Sequence, residues 1–403
     1  MPLTLHEKRA AALSIFQAGV AAADPHGAVD RALTQKGVAP GATIIAVGKA
    51  AMRMAEAALA RAADPREIVI VTNPENARDR TGAQVFAAAH PVPDAVGLAA
   101  AEAVEAALGR ADHVLALLSG GGSALLPAPA KGLTLDDKIE VNRALLASGA
   151  DITQMNLVRQ ALSRLKGGGL LRAAAPAPVR ALILSDVVGD DLSTIASGPT
   201  APPLGTRAEA AELLVELGLW EKVPDAVRRH LEAPEEARDV QAAENELVGS
   251  NTASVMAMAR AARDHGMPVH IHTPALTGDV EEAARRVAGT TDPGIHLFGG
   301  ETTVTLRGKG KGGRNQELAL RVALHLGRGD WVYLQGGTDG RDGPTDAAGG
   351  LLDAERLAAM QRTVDVLAML DDNDAYHALK AGDALLMTGA TGTNAADLGV
   401  LIR

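Results

Sequence analysis

Several times along this chain a short apolar run empties into a loop of glycine and polar residues, and in most cases a helical pattern follows. Thr43–Val47 runs into Gly48-Lys49 and the alanine-rich, helical Ala50–Ala63. His113–Leu118 runs into Ser119-Gly120-Gly121-Gly122-Ser123, and Ala181–Ser185 into Asp186-Val187-Val188-Gly189-Asp190-Asp191. Trp331–Gln335 ends at GGTDGRDGPTDAAGG, and Ala384–Met387 at TGATGTN. Strands alternating with helices in this way predict α/β layers, with ligands bound beyond the carboxyl ends of the strands. The core must come from Leu, Val, Ile and Ala, because 47% of residues are hydrophobic but only 2% aromatic.

A chain of 403 residues exceeds one simple core and predicts two domains. We place them at 1–240, Rossmann-like, and 241–403, a smaller mixed α/β unit, with the site in a cleft between them. Pro199–Asp239, helical, acidic and broken by prolines, reads as the connector. Leu5–Ala23 reads as a helix that Pro25 ends. Strands are also expected at Glu67–Thr72, Leu247–Val248 and Pro268–His272, with Thr252 or Asn251 a candidate N-cap for the helix after Gly249-Ser250. His270 and His272 alternate on one strand face, but no further ligand completes a metal set around them.

Charge and composition exclude several classes. A net charge of −10 with few aromatics argues against nucleic-acid binding. The absence of cysteine excludes disulfides, thiolate metal sites and cysteine nucleophiles. No apolar stretch reaches membrane-spanning length, and the N-terminus resembles no signal peptide, which points to a cytoplasmic protein with no membrane partner. Against that acidic background, Gly299–Glu317 (GGETTVTLRGKGKGGRNQE) stands out. Its alternating Thr302–Leu306 suggests a strand, Arg307–Arg314 is made of glycine and cation alone, and Leu318–Leu326 is helical. Glycines at positive φ would crowd backbone N–H groups toward one point, and a helix N-terminus would add its partial charge there. The pattern predicts a phosphate or carboxylate site. A solvated basic loop would need neither the glycines nor the flanking strand and helix.

Gly308, Gly310 and Gly313 also spell the dinucleotide fingerprint G-x-G-x-x-G. Asp330 has about the right offset for its acidic position but precedes the next strand instead of closing it. No Walker A pattern occurs in the chain. Asp186, Asp190 and Asp191 at a strand end suit Mg2+, which binds through one or two carboxylates plus substrate phosphates. One of them could instead take a hydroxyl proton, or the acids could simply cap the next helix. The Asp339–Gly350 loop fails as an EF-hand, because Arg341 and Gly350 fall where ligands are required.

GGETTVTLRGKGKGGRNQELAL resembles the signature of the class II glycerate kinases, a family once labelled hydroxypyruvate reductases, with a MOFRL C-terminal domain. VGKA, His90-Pro91-Val92-Pro93-Asp94, SDVVGDDLSTIASGPT, GTDG and DGPTDAAG resemble the same family. The resemblance implies ATP-dependent phosphorylation of the 2-hydroxyl of D-glycerate or a similar hydroxy acid, assisted by Mg2+. It implies Lys49, Asp190 and Arg314 as catalytic residues, with Asp186, Asp190 and Glu301 as metal contacts. Ser119, Gly120, Gly121, Gly122, Ser123, Asn251, Gly312 and Gly313 would hold substrate or phosphate. Lys309, Lys311, Thr338, Asp339, Thr391 and Asn394 would hold the nucleotide. A second copy of the chain is a further candidate partner. The chain departs from the family pattern at Asn73–Asn76, which lacks an aromatic and a histidine, and at Ala161 and Gly169, where many relatives carry His and Arg. An NAD(P)-dependent hydroxypyruvate reductase is the alternative, carried by the old label and the fingerprint; a non-catalytic sugar-acid binder would not need so many carboxylates beside cations.

Overall fold

The computed structural model describes residues 3–234 and 242–403, and the chain divides into two compact units. Pro25–Val248 forms one, and Met1–Asp24 joins Gly249–Arg403 in the other. The boundary expected at Val240 lies outside the described residues.

The first unit is built on a six-stranded sheet: β1 (Thr43–Val47), β2 (Glu67–Thr72), β3 (Gln84–Ala87), β4 (Val114–Ser119), β5 (Val179–Leu184) and β6 (Glu244–Gly249). The spatial order is β3-β2-β1-β4-β5-β6, and the pairs from β3 through β5 are all parallel. Central strands of such a sheet are covered on both faces, so they read as continuous apolar runs. Ile45, Val47, Val69, Val71, Ala116 and Leu118 pack into one apolar cluster with the helix Ala95–Leu108. The alternate residues Ile44, Ala46, Ile68, Ile70, Leu115 and Leu117 pack into another with the helices Pro25–Gln35 and Ala51–Leu59. This is the strand order of doubly wound nucleotide-binding folds, whose crevice opens where the order reverses, between β1 and β4. Pro199–Asp239 is more than a connector. Its helices Arg207–Glu216 and Asp225–Glu232 bury Leu213, Leu214, Val227 and Leu231 against Val141, Leu145 and Val158.

The second unit is a mixed sheet of β7 (Val269–Ile271), β8 (Leu276–Asp279), β9 (Ile295–Thr303), β10 (Val332–Gly337), β11 (Gly349–Asp353), β12 (Leu385–Leu386) and β13 (Asp397–Ile402). Its order is β12-β11-β10-β13-β9-β7, with β8 also on β9. The pairs β12-β11, β11-β10, β10-β13 and β13-β9 are antiparallel; β7 and β8 run parallel to β9. The N-terminal helix belongs here and not with the residues that follow it. On that helix, Leu5–Ala22, residues Ala11, Ala12, Ile15 and Phe16 join Met258, Leu297, Val332, Leu334, Leu398 and Val400 in one core. At Gly19 a Cβ would stand 2.7 Å from Leu398 Cδ1 and from Met258 Cγ, so a larger residue there would force those side chains to shift. Thr393 Oγ1 donates to Ala23 O at the end of the helix. Pro25 does end the first helix, but it also opens the second, at a position where its missing N–H costs nothing.

Candidate functional site

In the parallel-sheet unit the loops after β1 and β4 are knitted together. Lys49 N–H donates to Gly120 O (2.9 Å), and Ala50 N–H donates to Ser119 Oγ (3.1 Å). Gly48 takes φ 125°, and a Cβ there would meet Ser119 Oγ at 2.2 Å. Asn76 Nδ2 donates to Lys49 O (3.0 Å), so the turn Asn73–Asn76 holds the lysine backbone from the other side. Gly121 takes φ 85°, and a Cβ there would lie 3.1 Å from Lys49 Cγ and 3.4 Å from His90 Cδ2. At Gly120 a Cβ would overlap Asp186 Oδ2 at 1.7 Å. The expected residues Lys49, Ser119–Ser123 and Asp186 therefore sit together at the carboxyl ends of β1, β4 and β5. Burial pushes the Asp186 carboxyl up from its ordinary range, and the nearby Lys49 ammonium opposes that shift. His90 belongs to the same group, since burial and then Lys49 lower its pKa. Sequence reasoning missed His90 as a site residue because β3, the strand before it, carries no clear alternation.

Asp190 lies in the turn after β5, at φ 57°, and its Oδ1 is buried with no donor. An orphaned buried acceptor of this kind fits a cation or a substrate hydroxyl. Asp191, by contrast, is used locally: it accepts from Ser193 N–H (2.9 Å), Ser193 Oγ and Thr194 Oγ1, and those hydrogen bonds hold its carboxyl below the usual range against the cost of burial. Among the described residues no three His, Cys, Asp or Glu side chains gather as a metal-ligand set.

The mixed-sheet unit carries the remaining expected residues, and its local structure differs from the sequence reading. The strand expected at Thr302–Leu306 is β9, which ends at Thr303, and the helix begins at Arg314. None of Gly308, Gly310, Gly312 and Gly313 takes a positive φ. These glycines provide room instead of left-handed geometry: a Cβ at Gly308 would lie 2.3 Å from Asp372 O, and one at Gly310 2.5 Å from Asp374 Cβ. The loop amides are also occupied. Arg307 and Gly308 N–H donate to Asn373 Oδ1, Lys309 N–H to Asp372 Oδ1, Gly310 N–H to Asp372 O and Lys311 N–H to Asp374 Oδ1. Lys311 Nζ stands 4.3 Å over the Tyr376 ring.

The helix N-terminus expected to face an anion already has one. Asp342 accepts from Asn315 N–H (3.1 Å) and Gln316 N–H (2.8 Å), where dipole and free amides favour a carboxylate. A Cβ at Gly313 would lie 2.4 Å from Asp342 Cγ, so glycine is what lets that side chain reach the helix. Arg314 is forked onto Asp397, with Nε to Oδ2 at 2.6 Å and Nη2 to Oδ1 at 3.1 Å, and its Nη1 reaches Glu301 at 2.7 Å. Burial lowers the guanidinium's pKa, but Asp397 and Glu301 more than offset this and leave it raised. Asn315 Nδ2 joins the network at Asp397 Oδ1 (3.0 Å).

Thr338, Asn251, Asp339, Thr391 and Asn394 collect around the turn that enters β13. Thr338 Oγ1 donates to Ala396 O (2.7 Å) and accepts from Ala395 N–H (2.7 Å); Asn251 Nδ2 donates to Ala395 O and Asp397 O. Thr391 Oγ1 donates to Thr338 O, Thr391 N–H to Asp339 O, and Asn394 Oδ1 accepts from Ala396 N–H. Asn251 is the first helical residue, and Ser250 is the cap. The dinucleotide fingerprint has no nucleotide-binding geometry around it: β13 lies between β9 and β10, and the loop amides are bound within the protein.

Burial pushes the Asp342 carboxyl up to about 7. An unfolded aspartic acid titrates near ~3.9, so between those values the folded chain holds a proton that the unfolded chain does not. Stability contributed by this group is therefore full at low pH and is lost as pH rises through about 7. Relative to an Asp342→Asn variant, which cannot titrate, the wild type should lose stability steadily from pH 4.5 to 7.5 in urea unfolding. A constant difference across that range would show that Asp342 ionises like an exposed acid.

Residues 11–232 match the family model described as a domain of unknown function, DUF4147, and residues 294–397 match the MOFRL family. The chain is 43% identical over 305 residues to a D-glycerate 2-kinase of Thermotoga maritima, covering 71% of each protein. It is 41% identical over 303 residues to a glycerate 2-kinase of Pyrococcus horikoshii, covering 70% of this chain and 69% of that protein. The crystal structure of a Thermotoga maritima glycerate kinase superposes with a TM-score of 0.92 at 36% identity, over 98% of this chain and 99% of that one.

Proposed function

Since the chain belongs to the glycerate kinase family of DUF4147–MOFRL proteins, we propose that it transfers the γ-phosphoryl group of ATP to the 2-hydroxyl of glycerate. The observation that carries the reading in the molecule itself is the convergence of Lys49, the glycine loop Ser119–Ser123 and Asp186 at the switch point of the parallel sheet. Phosphoryl transfer asks mainly for positioning and charge neutralisation, which a lysine beside closely packed loop amides supplies. Asp190, with its unpartnered oxygen, takes the hydroxyl proton or holds Mg2+ together with Asp186. The metal, when bound, would offset charge on the phosphates of ATP. Glu301, the expected metal contact, is paired with Arg314 and helps orient that arginine.

Purified protein supplied with D-glycerate and MgATP should form ADP and a phosphoglycerate, while hydroxypyruvate with NADH or NADPH should give no steady cofactor oxidation. The reverse result would replace the kinase with a reductase.

Arg314 keeps its place in this reading as a placed charge rather than a member of a basic patch. A lysine cannot reproduce the fork onto Asp397. Arg314→Lys is expected to lower kcat/KM by roughly 2 kcal/mol of transition-state stabilisation. Lys309→Ala and Lys311→Ala should lose less, because the Asp372–Asp374 turn holds both through backbone amides that alanine keeps, and the Lys311 ammonium is engaged over the Tyr376 ring. Three similar losses, all sensitive to salt, would mean diffuse attraction instead.

A further inference from the structure

We propose that β7 is an acid-released edge strand, held to β9 by a histidine cluster that accepts one proton and excludes a second. The device does not depend on the reaction assigned to the protein.

His270 and His272 alternate onto one face of the sheet, and the parallel register sets His270 opposite His296 on β9. The rings meet there. His296 lies 4.7 Å from His270 and 5.1 Å from His272, centroid to centroid, and His272 lies 4.5 Å from Phe298. His296 is fully buried, and His270 Nε2 is enclosed without a hydrogen-bond partner. The bonded nitrogens of His272 and His296 address each other and a carbonyl, not a shared metal position. β7 itself is three residues long at the edge of the sheet, and among the described strands it pairs with β9 alone.

The proton count follows from the carbonyl. Asp292 O lies 2.8 Å from His296 Nε2 and can only accept, so Nε2 carries the proton. In the neutral ring Nδ1 then holds a lone pair, and it accepts from His272 Nε2–H at 2.9 Å. Turning the His296 ring over would put carbon at both contacts, so its orientation is settled by two hydrogen bonds. If one ring of the pair charges, the other can still offer a lone pair across the contact. If both charge, N–H meets N–H with no acceptor between them.

The surroundings favour the uncharged cluster. The charged groups facing the rings are Arg286 from the helix Val280–Ala288, Arg403 after β13, and Asp292 in the turn before β9. The helix Arg314–Leu326, which packs with Phe298, has its own titratable groups paired: Arg321 with Glu317 and Glu281, and His325 with Glu281. Burial first, then the neighbouring cations, lowers the pKa of both His272 and His296, and Asp292 only partly opposes this at His296. Once β7 is released, the imidazoles return toward the ordinary value of about 6.5. The attached strand therefore binds fewer protons than the released one. Attachment is full above about pH 6.5 and is lost as pH falls below it.

Hydrogen exchange of the intact chain tests this. The His272 amide donates to Leu297 O (3.0 Å) and the Ile295 amide to Pro268 O (2.8 Å), so both report on the seam between β7 and β9. After correction for intrinsic exchange, their protection should fall roughly 30-fold between pH 7.5 and 5.0, the uptake of about one excluded proton. Amides joining β10 to β13 should keep theirs. His272→Gln keeps a donor toward His296 but cannot charge, and it should cut the acid response to below about tenfold. His272→Phe keeps a ring against Phe298 and should do the same. Unchanged wild-type protection across that range, an undiminished response in both variants, or an equal loss between β10 and β13 would overturn the proposal.

Discussion

Replacing Lys49 with methionine is expected to lower kcat with glycerate on the order of 10^3-fold, the upper range for losing one preorganised charge at a transition state. Methionine matches the lysine stem in length, so the packing of the side chain against Gly121 should survive and the melting temperature should scarcely move. A second measurement separates lost charge from lost shape. The Lys49 ammonium is one of the causes that lower the pKa of His90. In the variant that contribution is gone, and the His90 imidazole should titrate at a higher pH by NMR, with burial still holding it below an exposed histidine. Near-normal turnover together with an unmoved His90 titration would mean that the Lys49 ammonium points away from both the phosphoryl group and the loop.

The parallel-sheet unit was the more legible of the two, and the reason is physical. Its central strands are buried on both faces, so Thr43–Val47 and Glu67–Thr72 appear in the sequence as unbroken apolar runs with their true limits. The expected residues Lys49, Ser119–Ser123 and Asp186 lie at or just past strand ends, where doubly wound sheets bind their ligands. The mixed-sheet unit hides its strands. Gly349–Asp353 is a strand made partly of glycine and stands next to an aspartate-rich turn, so it reads as more of the turn. The N-terminal helix shows why domain limits cannot be read from order alone. Its apolar face fits residues more than two hundred positions away, a choice made by shape at Gly19 and Phe16 that no local pattern records.

The cationic glycine stretch was legible as a special segment, yet its glycines act differently from the expectation. Positive φ is one reason a loop needs glycine, and contact with another backbone is a second. Here the second applies, because Asp372, Asn373 and Asp374 close over the loop and take its amides. Three polar residues some sixty positions downstream carry no signal that they will do so. Asp342, capping the helix at Asn315 and Gln316, is hidden for the same reason.

Asp190→Asn is expected to cost kcat roughly 100-fold or more, the scale of a lost general base. Asparagine is among the residues that best tolerate the left-handed backbone found at this position, φ 57°, so the turn should keep its form. Stability should scarcely move, since asparagine keeps the shape and places another polar atom where the unpartnered oxygen stood. The dependence on Mg2+ then separates the roles this carboxylate could play. A lost base lowers kcat at every Mg2+ concentration and leaves the half-saturating concentration where it was. A lost ligand raises that concentration and restores part of the rate at high Mg2+. Full turnover at ordinary Mg2+ would reduce Asp190 to a turn residue and leave Asp186, half-buried beside Gly120, as the remaining carboxylate of the loop cluster.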